Sequence, residues 1–230
     1  MTNDEDSSVS TSEHRGLGRI LSLSDGVFAF AITLLVLGLA VPDIAESGLS
    51  QASLNSKLLE SLGTEITAFY SYGVSFAVIG IWWVAHHRLF RHITRYDRVL
   101  MWRNLFFLLF ITIIPFLTQL LSQYGNIGIA VVIYNAFQSV GGLALGAIWT
   151  HASKNHLLVS RSLPETQIKN IRVRNLVPSL VFLIALAIAL LFSYSYNYLS
   201  IPPAFANFAL LGMLPLMRIV SRKNKTKDEP

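Results

Sequence analysis

Six long apolar stretches decide what this chain can fold into. They run from about Ile20 to Val41, Ile66 to Ala85, Leu100 to Leu121, Ile127 to Thr150, Leu176 to Tyr194 and Ile201 to Ile219. Each is close to the ~20 residues that an α-helix needs to cross the hydrocarbon layer of a bilayer. The first is interrupted only by Ser22, Ser24, Asp25 and Thr33, and Pro42 stops it. The sixth is the weakest, cut by Pro202, Pro203 and Pro215. None alternates as a barrel strand would, and only helices and closed barrels satisfy the backbone in lipid. Composition agrees: 53% of residues are hydrophobic and 13% charged, against about 25% charged in a soluble domain. Disorder of the whole chain is excluded, and an ordinary soluble enzyme is disfavoured. With no cysteine, disulfides, thiolate chemistry and cysteine–zinc sites are excluded as well.

The charges then set the topology. Arg15 and Arg19 flank the first stretch. Arg88, Arg91, Arg95, Arg98 and Arg103 fall between the second and third. Lys154, Arg161, Lys169, Arg172 and Arg174 fall between the fourth and fifth, and Arg218, Arg222, Lys223, Lys225 and Lys227 follow the sixth. Of the 18 Lys and Arg, Lys57 alone lies on the other side. The positive-inside rule puts both termini in the cytoplasm, which requires an even number of crossings, and six fits. The net charge of +5 is explained by this sorting, so no nucleic-acid partner is needed. Outside, Asp43, Glu46, Glu60 and Glu65 oppose Lys57. Leu54, Leu58, Leu59 and Leu62 recur there at helical spacing, which predicts a short amphipathic helix over residues 50–62 on the outer surface.

The expected organisation is one all-α membrane domain over residues 15–220 with two short tails. Residues 1–14, rich in Ser, Thr and acid, read as a disordered cytoplasmic tail, and residues 221–230 as a basic one. No signal peptide is visible, since the basic start and early apolar core are missing. This suggests an integral protein of a prokaryotic inner membrane.

Three groups of residues stand out. Arg19, Ser24 and Asp25 are polar at the edge of the first stretch, where ionisable groups are costly. They are either interfacial anchors or functional. Phe30, Leu34 and Leu37 lie at i, i+4 and i+7 on one helix face, with Thr33 near it. Copies of this helix about a symmetry axis would stack apolar rings that can close a pore by dewetting, although lipid contact is the ordinary reading of such a stripe. His86 and His87 end the second stretch about 100° apart, so they cannot face one partner, and they lack the i, i+4 spacing of a two-histidine metal site. A hydrogen-bonding role at the cytoplasmic mouth fits them better. Pro115 should kink or end the third helix, and Gly142 and Gly146 have the spacing of close helix packing. No metal and no cofactor is expected.

The stretch Arg19-Ile-Leu-Ser-Leu23-Ser24-Asp25-Gly26-Val-Phe-Ala-Phe30-Ala-Ile-Thr33-Leu-Leu-Val-Leu37 resembles the first helix of the bacterial relatives of the endosomal and lysosomal potassium channel, transmembrane protein 175. Trp83-x-x-His86-His87-x-x-Phe90 resembles the end of that family's second helix. Asp97, Leu100, Trp102, Asn104 and Pro115-Phe116-x-Thr118 resemble its third. The specific likeness covers about residues 19–124. It implies six-helix subunits assembled as a homotetramer, with the first helix lining a potassium-permeable pore and apolar rings as its constrictions. By position these are Phe30, Leu34 and Leu37, with Thr33 as a nearby polar layer. It also implies a polar network of Arg19 with His86 or His87 and with Trp102, beside Ser24 and Asp25. Two positions depart from the family pattern: Leu23 replaces Phe, and Phe30 replaces the Ile of the first constriction. Four phenyl rings fill more of an axis than four Ile side chains, which bears on conductance and selectivity.

The chain has no TVGYG loop, so selectivity for permeant potassium ions would come from side-chain rings. The partners implied are membrane lipid, monovalent cations and further copies of the chain. The competing reading is a proton-coupled secondary transporter using Asp25 and the histidines. Such proteins show broken helices and inverted repeats at the midplane, whereas Asp25 lies near the cytoplasmic edge and no repeat is visible. An enzyme would need a nucleophile or a metal cluster, and none is visible.

Overall fold

The computed structural model describes residues 2–44 and 50–199, with side-chain surroundings from residue 15 to residue 191. Helix α1 spans Thr2–Leu34 and closes in a 3₁₀ turn over Leu35–Gly38. Then come α2 (Gln51–Thr64), α3 (Ile66–Phe90), α4 (Arg98–Thr112), α5 (Ile114–Tyr124), α6 (Gly128–Ser153) and α7 (Glu165–Leu199). Five segments are long and apolar enough to cross a membrane, with α4 and α5 forming one of them. The sixth stretch, Ile201 to Ile219, and the basic tail lie outside the described residues. This is an all-α membrane architecture.

Several boundaries differ from the sequence expectation, each for a local reason. The first helix continues back to Thr2, across the segment whose composition predicted a disordered tail. Extending an existing helix is far cheaper than nucleating one. Helix α3 runs past Ala85 because His86, Leu89 and Phe90 are still buried. Helix α7 starts eleven residues before Leu176: its charged first turns keep Lys169 and Arg172 outward and turn Ile168 and Asn175 into the protein. A hydropathy window reads those charges as loop. Pro115 acts as expected. The α4–α5 break falls at Ile113, and Pro115 occupies the first turn of α5, where its missing N–H costs nothing.

The short helix expected over residues 50–62 also forms, as α2. Ser50 caps it by accepting the Ser53 N–H at 3.3 Å. None of its residues is buried, so Leu58, Leu59 and Leu62 face outward from the chain.

The core gathers on α3, α4, α6 and α7, with one face each of α1 and α5 packed into it. Trp82 on α3 is its centre: it stacks on Phe182 at 5.8 Å, meets Phe107 edge-on at 6.3 Å and donates its indole N–H to Gln138 at 2.9 Å. Helices approach closely at Gly142, where a Cβ would overlap the Ser179 hydroxyl and lie 2.7 Å from the Trp82 ring. Gly146 has no such constraint, its nearest neighbour being Leu176 at 3.5 Å. Half of the small-residue motif is therefore a packing requirement.

At one end of the bundle, the α3–α4 and α6–α7 connections pair through an isolated antiparallel bridge, Ile93 with Val159. The Thr94 and Arg95 amides both donate to the Leu158 carbonyl, at 2.9 and 3.2 Å. Two of the basic connections thus share one end of the bundle. The second is shaped by Asn155 and His156, both in the left-handed region at φ 50° and 54°. Asn tolerates this conformation well; His156 is held there by a ring-nitrogen bond to the Leu163 carbonyl at 3.0 Å.

Candidate pore face of the first helix and its polar anchor

Helix α1 has two faces. Leu17, Ile20, Ser24, Phe28, Ala31 and Leu35 form the buried one, stepping by three and four residues as a helical stripe must. On the opposite side lie Arg19, Leu23, Gly26, Phe30, Thr33 and Leu37, all exposed. Phe30 is 64% exposed and Leu37 72%, while Leu34 flanks the stripe half-buried. The membrane-crossing part of α1 is the least buried of the five: 22% of its most apolar window, against 39–56% for the others. Thr33 turns its hydroxyl back onto the Phe30 carbonyl at 2.9 Å. That bond leaves a lone pair facing outward between two apolar levels.

Three polar side chains hold the opposite face. Ser24 is fully buried and donates to the Ile20 carbonyl at 2.9 Å. Its oxygen accepts the Asn104 amide N–H at 3.0 Å, and the Asn104 oxygen bonds His86 Nε2 at 2.8 Å. Because the amide oxygen can only accept, His86 must carry its proton on Nε2. The ring is packed among Phe90, Phe107 and Phe28, with centroids at 4.3, 5.7 and 5.7 Å. This chain of bonds ties α1, α4 and α3 together inside the bundle, where an unpaired buried polar group is costly.

A second contact lies further out. The Trp83 indole N–H donates to Asp25 at 2.9 Å, and the same indole stacks on His87 at 5.7 Å. The two histidines point to different sides, as their adjacency requires. His86 is buried and His87 exposed.

Of the six residues expected in one network, the fold brings Ser24 and His86 into one cluster, Asp25 and His87 into another. Within the described chain Arg19 makes no hydrogen bond, and Trp102 is 67% exposed, so the Arg–His–Trp set implied by resemblance is not assembled in the single subunit. The connectors Asn104 and Trp83 do the joining. Asn104 carried the signal for this: it is the one amide in the apolar run of α4, and such a group needs a partner. Among the described residues no three His, Asp or Glu side chains converge as a metal site.

The stretch that carries both faces and both clusters is also the stretch that matches known proteins. Residues 19–115 match the family described as the endosomal/lysosomal potassium channel TMEM175. A potassium channel of Streptomyces collinus is 32% identical over 200 residues, covering 85% of this chain and 89% of its own length. A potassium channel of Chamaesiphon minutus is 36% identical over 158 residues, 66% of this chain and 74% of that protein. The crystal structure of a lysosomal potassium-selective channel TMEM175 homolog from Chamaesiphon minutus superimposes with a TM-score of 0.66 and 26% identity, covering 86% of this chain and 98% of that one. A likeness that spans nearly the whole length of such proteins leaves one assignment: the chain belongs to the TMEM175 potassium-channel family.

Proposed function

We infer that this chain is the subunit of a potassium-permeable cation channel, in which four copies surround a pore lined by α1. The observation that carries this is the exposed stripe of α1. The least buried crossing helix is fixed by a polar bond chain on one side and offers Phe30, Thr33 and Leu37 on the other. One helix cannot enclose a pore, so the stripe needs closed symmetry to act. Around an axis, Phe30, Leu34 and Leu37 form apolar rings and Thr33 a polar layer between them. Rings of this kind restrict flow by dewetting, without a carbonyl filter. Arg19, at the base of the same face, is free to meet Trp102 of a neighbouring copy. Six crossings with both termini in the cytoplasm of a prokaryotic plasma membrane complete the arrangement. Asp43, Glu60 and Glu65 would then concentrate cations at the outer mouth.

The test is flux through purified protein in liposomes, under a potassium gradient, with potassium, sodium or N-methylglucamine as the opposing cation. Potassium-driven flux that N-methylglucamine cannot support is the expected result, and Leu37→Asn should raise it several-fold by wetting one of the apolar levels. Flux that saturates and moves protons in fixed ratio identifies a transporter instead. Unchanged flux and selectivity in Phe30, Leu34 and Leu37 variants removes α1 from the pore.

A further inference from the structure

At the end of the bundle where the two basic connections meet, α4, α6 and α7 open a cleft of about 420 Å³. Arg103 reaches it from α4, Thr150 from α6, and Arg172 and Asn175 from α7. Leu143 and Leu176 form its apolar side, 50% and 40% exposed. Arg103 is held in place by one bond, from Nη1 to the Ala147 carbonyl at 2.6 Å. A guanidinium has five N–H donors, so most of its fork remains unused. Among the described residues no carboxylate pairs with Arg103 or Arg172. Asp97, whose carboxyl feels the charge of Arg103, is already engaged by the Leu100 N–H and by His151. Asn175 is 6% exposed, and its Nδ2 has no hydrogen-bond partner.

Two guanidinium groups without a carboxylate partner among the described residues, and a buried amide nitrogen without a hydrogen-bond partner, line one cavity. The donors match phosphate oxygens, which arginine grips through two parallel bonds. The leucine side favours a ligand with an apolar portion over a free ion. We propose that this cleft seats the phosphate of an anionic phospholipid, with Arg103 and Arg172 on its oxygens and an acyl chain along Leu143 and Leu176. Basic pockets between membrane helices on the cytoplasmic side suit such headgroups. The leaflet follows from the orientation inferred above; the chemistry of the cleft is independent of it and of conduction.

The experiment is thermal unfolding of the purified protein in detergent, titrated separately with phosphatidylglycerol, phosphatidylcholine and inorganic phosphate. Phosphatidylglycerol should raise the unfolding midpoint while the other two leave it in place. Arg172 is exposed and makes no bond among the described residues, so Arg172→Gln should fold normally yet weaken phosphatidylglycerol about tenfold, the effect of one charge-assisted hydrogen bond. Arg172→Lys should recover part of that loss, and Arg91→Gln, outside the cleft, should cause none. Equal affinity of wild type and Arg172→Gln overturns the site. Equal stabilisation by phosphatidylcholine overturns the role of the anion, and equal stabilisation by inorganic phosphate overturns the lipid.

Discussion

Replacing Asn104 by Leu isolates the bond chain that holds α1. The substitution keeps the volume close to constant and removes two bonds, to His86 at 2.8 Å and to Ser24 at 3.0 Å. The two former partners are not equally harmed. Ser24 retains its bond to the Ile20 carbonyl, whereas the His86 proton is stranded among three phenyl rings at 1% exposure. Stranding a buried donor costs about 1–3 kcal/mol, so Asn104→Leu should destabilise by about 2 kcal/mol. His86→Phe, which continues the aromatic stack, strands the Asn104 oxygen instead and should cost a similar amount. The double variant strands neither, so the two losses should not add. Interhelical polar pairs in membranes couple by about 0.6 kcal/mol on average and at most about 1.7. This pair is short, dry and without an alternative partner, which places it at about 1–1.7. The assay is reversible unfolding in mixed micelles for wild type, both single variants and the double. Additivity to within about 0.3 kcal/mol, the lower edge of what such cycles resolve, would refute the claim that these bonds fix α1.

Three other outcomes follow from geometry given above. Gly142→Ala should destabilise by about 1–3 kcal/mol, because its Cβ overlaps Ser179; Gly146→Ala, with only Leu176 at 3.5 Å, should be neutral or slightly stabilising in the same unfolding assay. The Asp97 carboxyl is pulled in two directions: burial raises its pKa, but the Leu100 N–H, the His151 bond and the Arg103 charge together lower it below the usual carboxylate range. Its stabilisation is therefore complete above the ordinary value near pH 4 and is lost as pH falls through its own lower one. At about one-third exposure solvent screening keeps this contribution small. Asp97→Asn keeps the helix cap, so unfolding measured between about pH 5 and 3 should be flatter in the variant than in wild type. Trp83→Phe should release Asp25 and His87 together while leaving the Ser24 cluster intact, read by nuclear magnetic resonance of the labelled histidines.

The crossing helices were legible because their signal is additive: twenty apolar residues outweigh any local irregularity. The two faces of α1 were legible for the same reason, since Phe30, Leu34 and Leu37 repeat at a period that a helix must honour. What sequence alone did not resolve were contacts between helices. That His86 and His87 diverge follows from one helix; that His86 meets Asn104, eighteen residues later, depends on how α3 and α4 cross. The start of α7 was missed because Lys169, Arg172 and Arg174 dominate a hydropathy average, although Ile168 and Asn175 face inward. Arg19 and Trp102 stay apart within one subunit, and a set read from family likeness carries no information on whether its members belong to one chain or two.

The 3₁₀ turn that ends α1 separates the two apolar levels of its exposed face. A 3₁₀ segment turns 120° per residue where an α-helix turns 100°, and it rises about 0.5 Å more per step. Leu37 is the third residue of that turn, so rewinding Leu35–Leu37 as α-helix swings it by about 60° and draws it in by about 1.5 Å. Phe30 lies wholly within the α-helical part, above the Ser24 bond, and is untouched by such rewinding. Such rewinding would therefore turn the upper level on a stationary lower one, as a collar turns on a fixed stem.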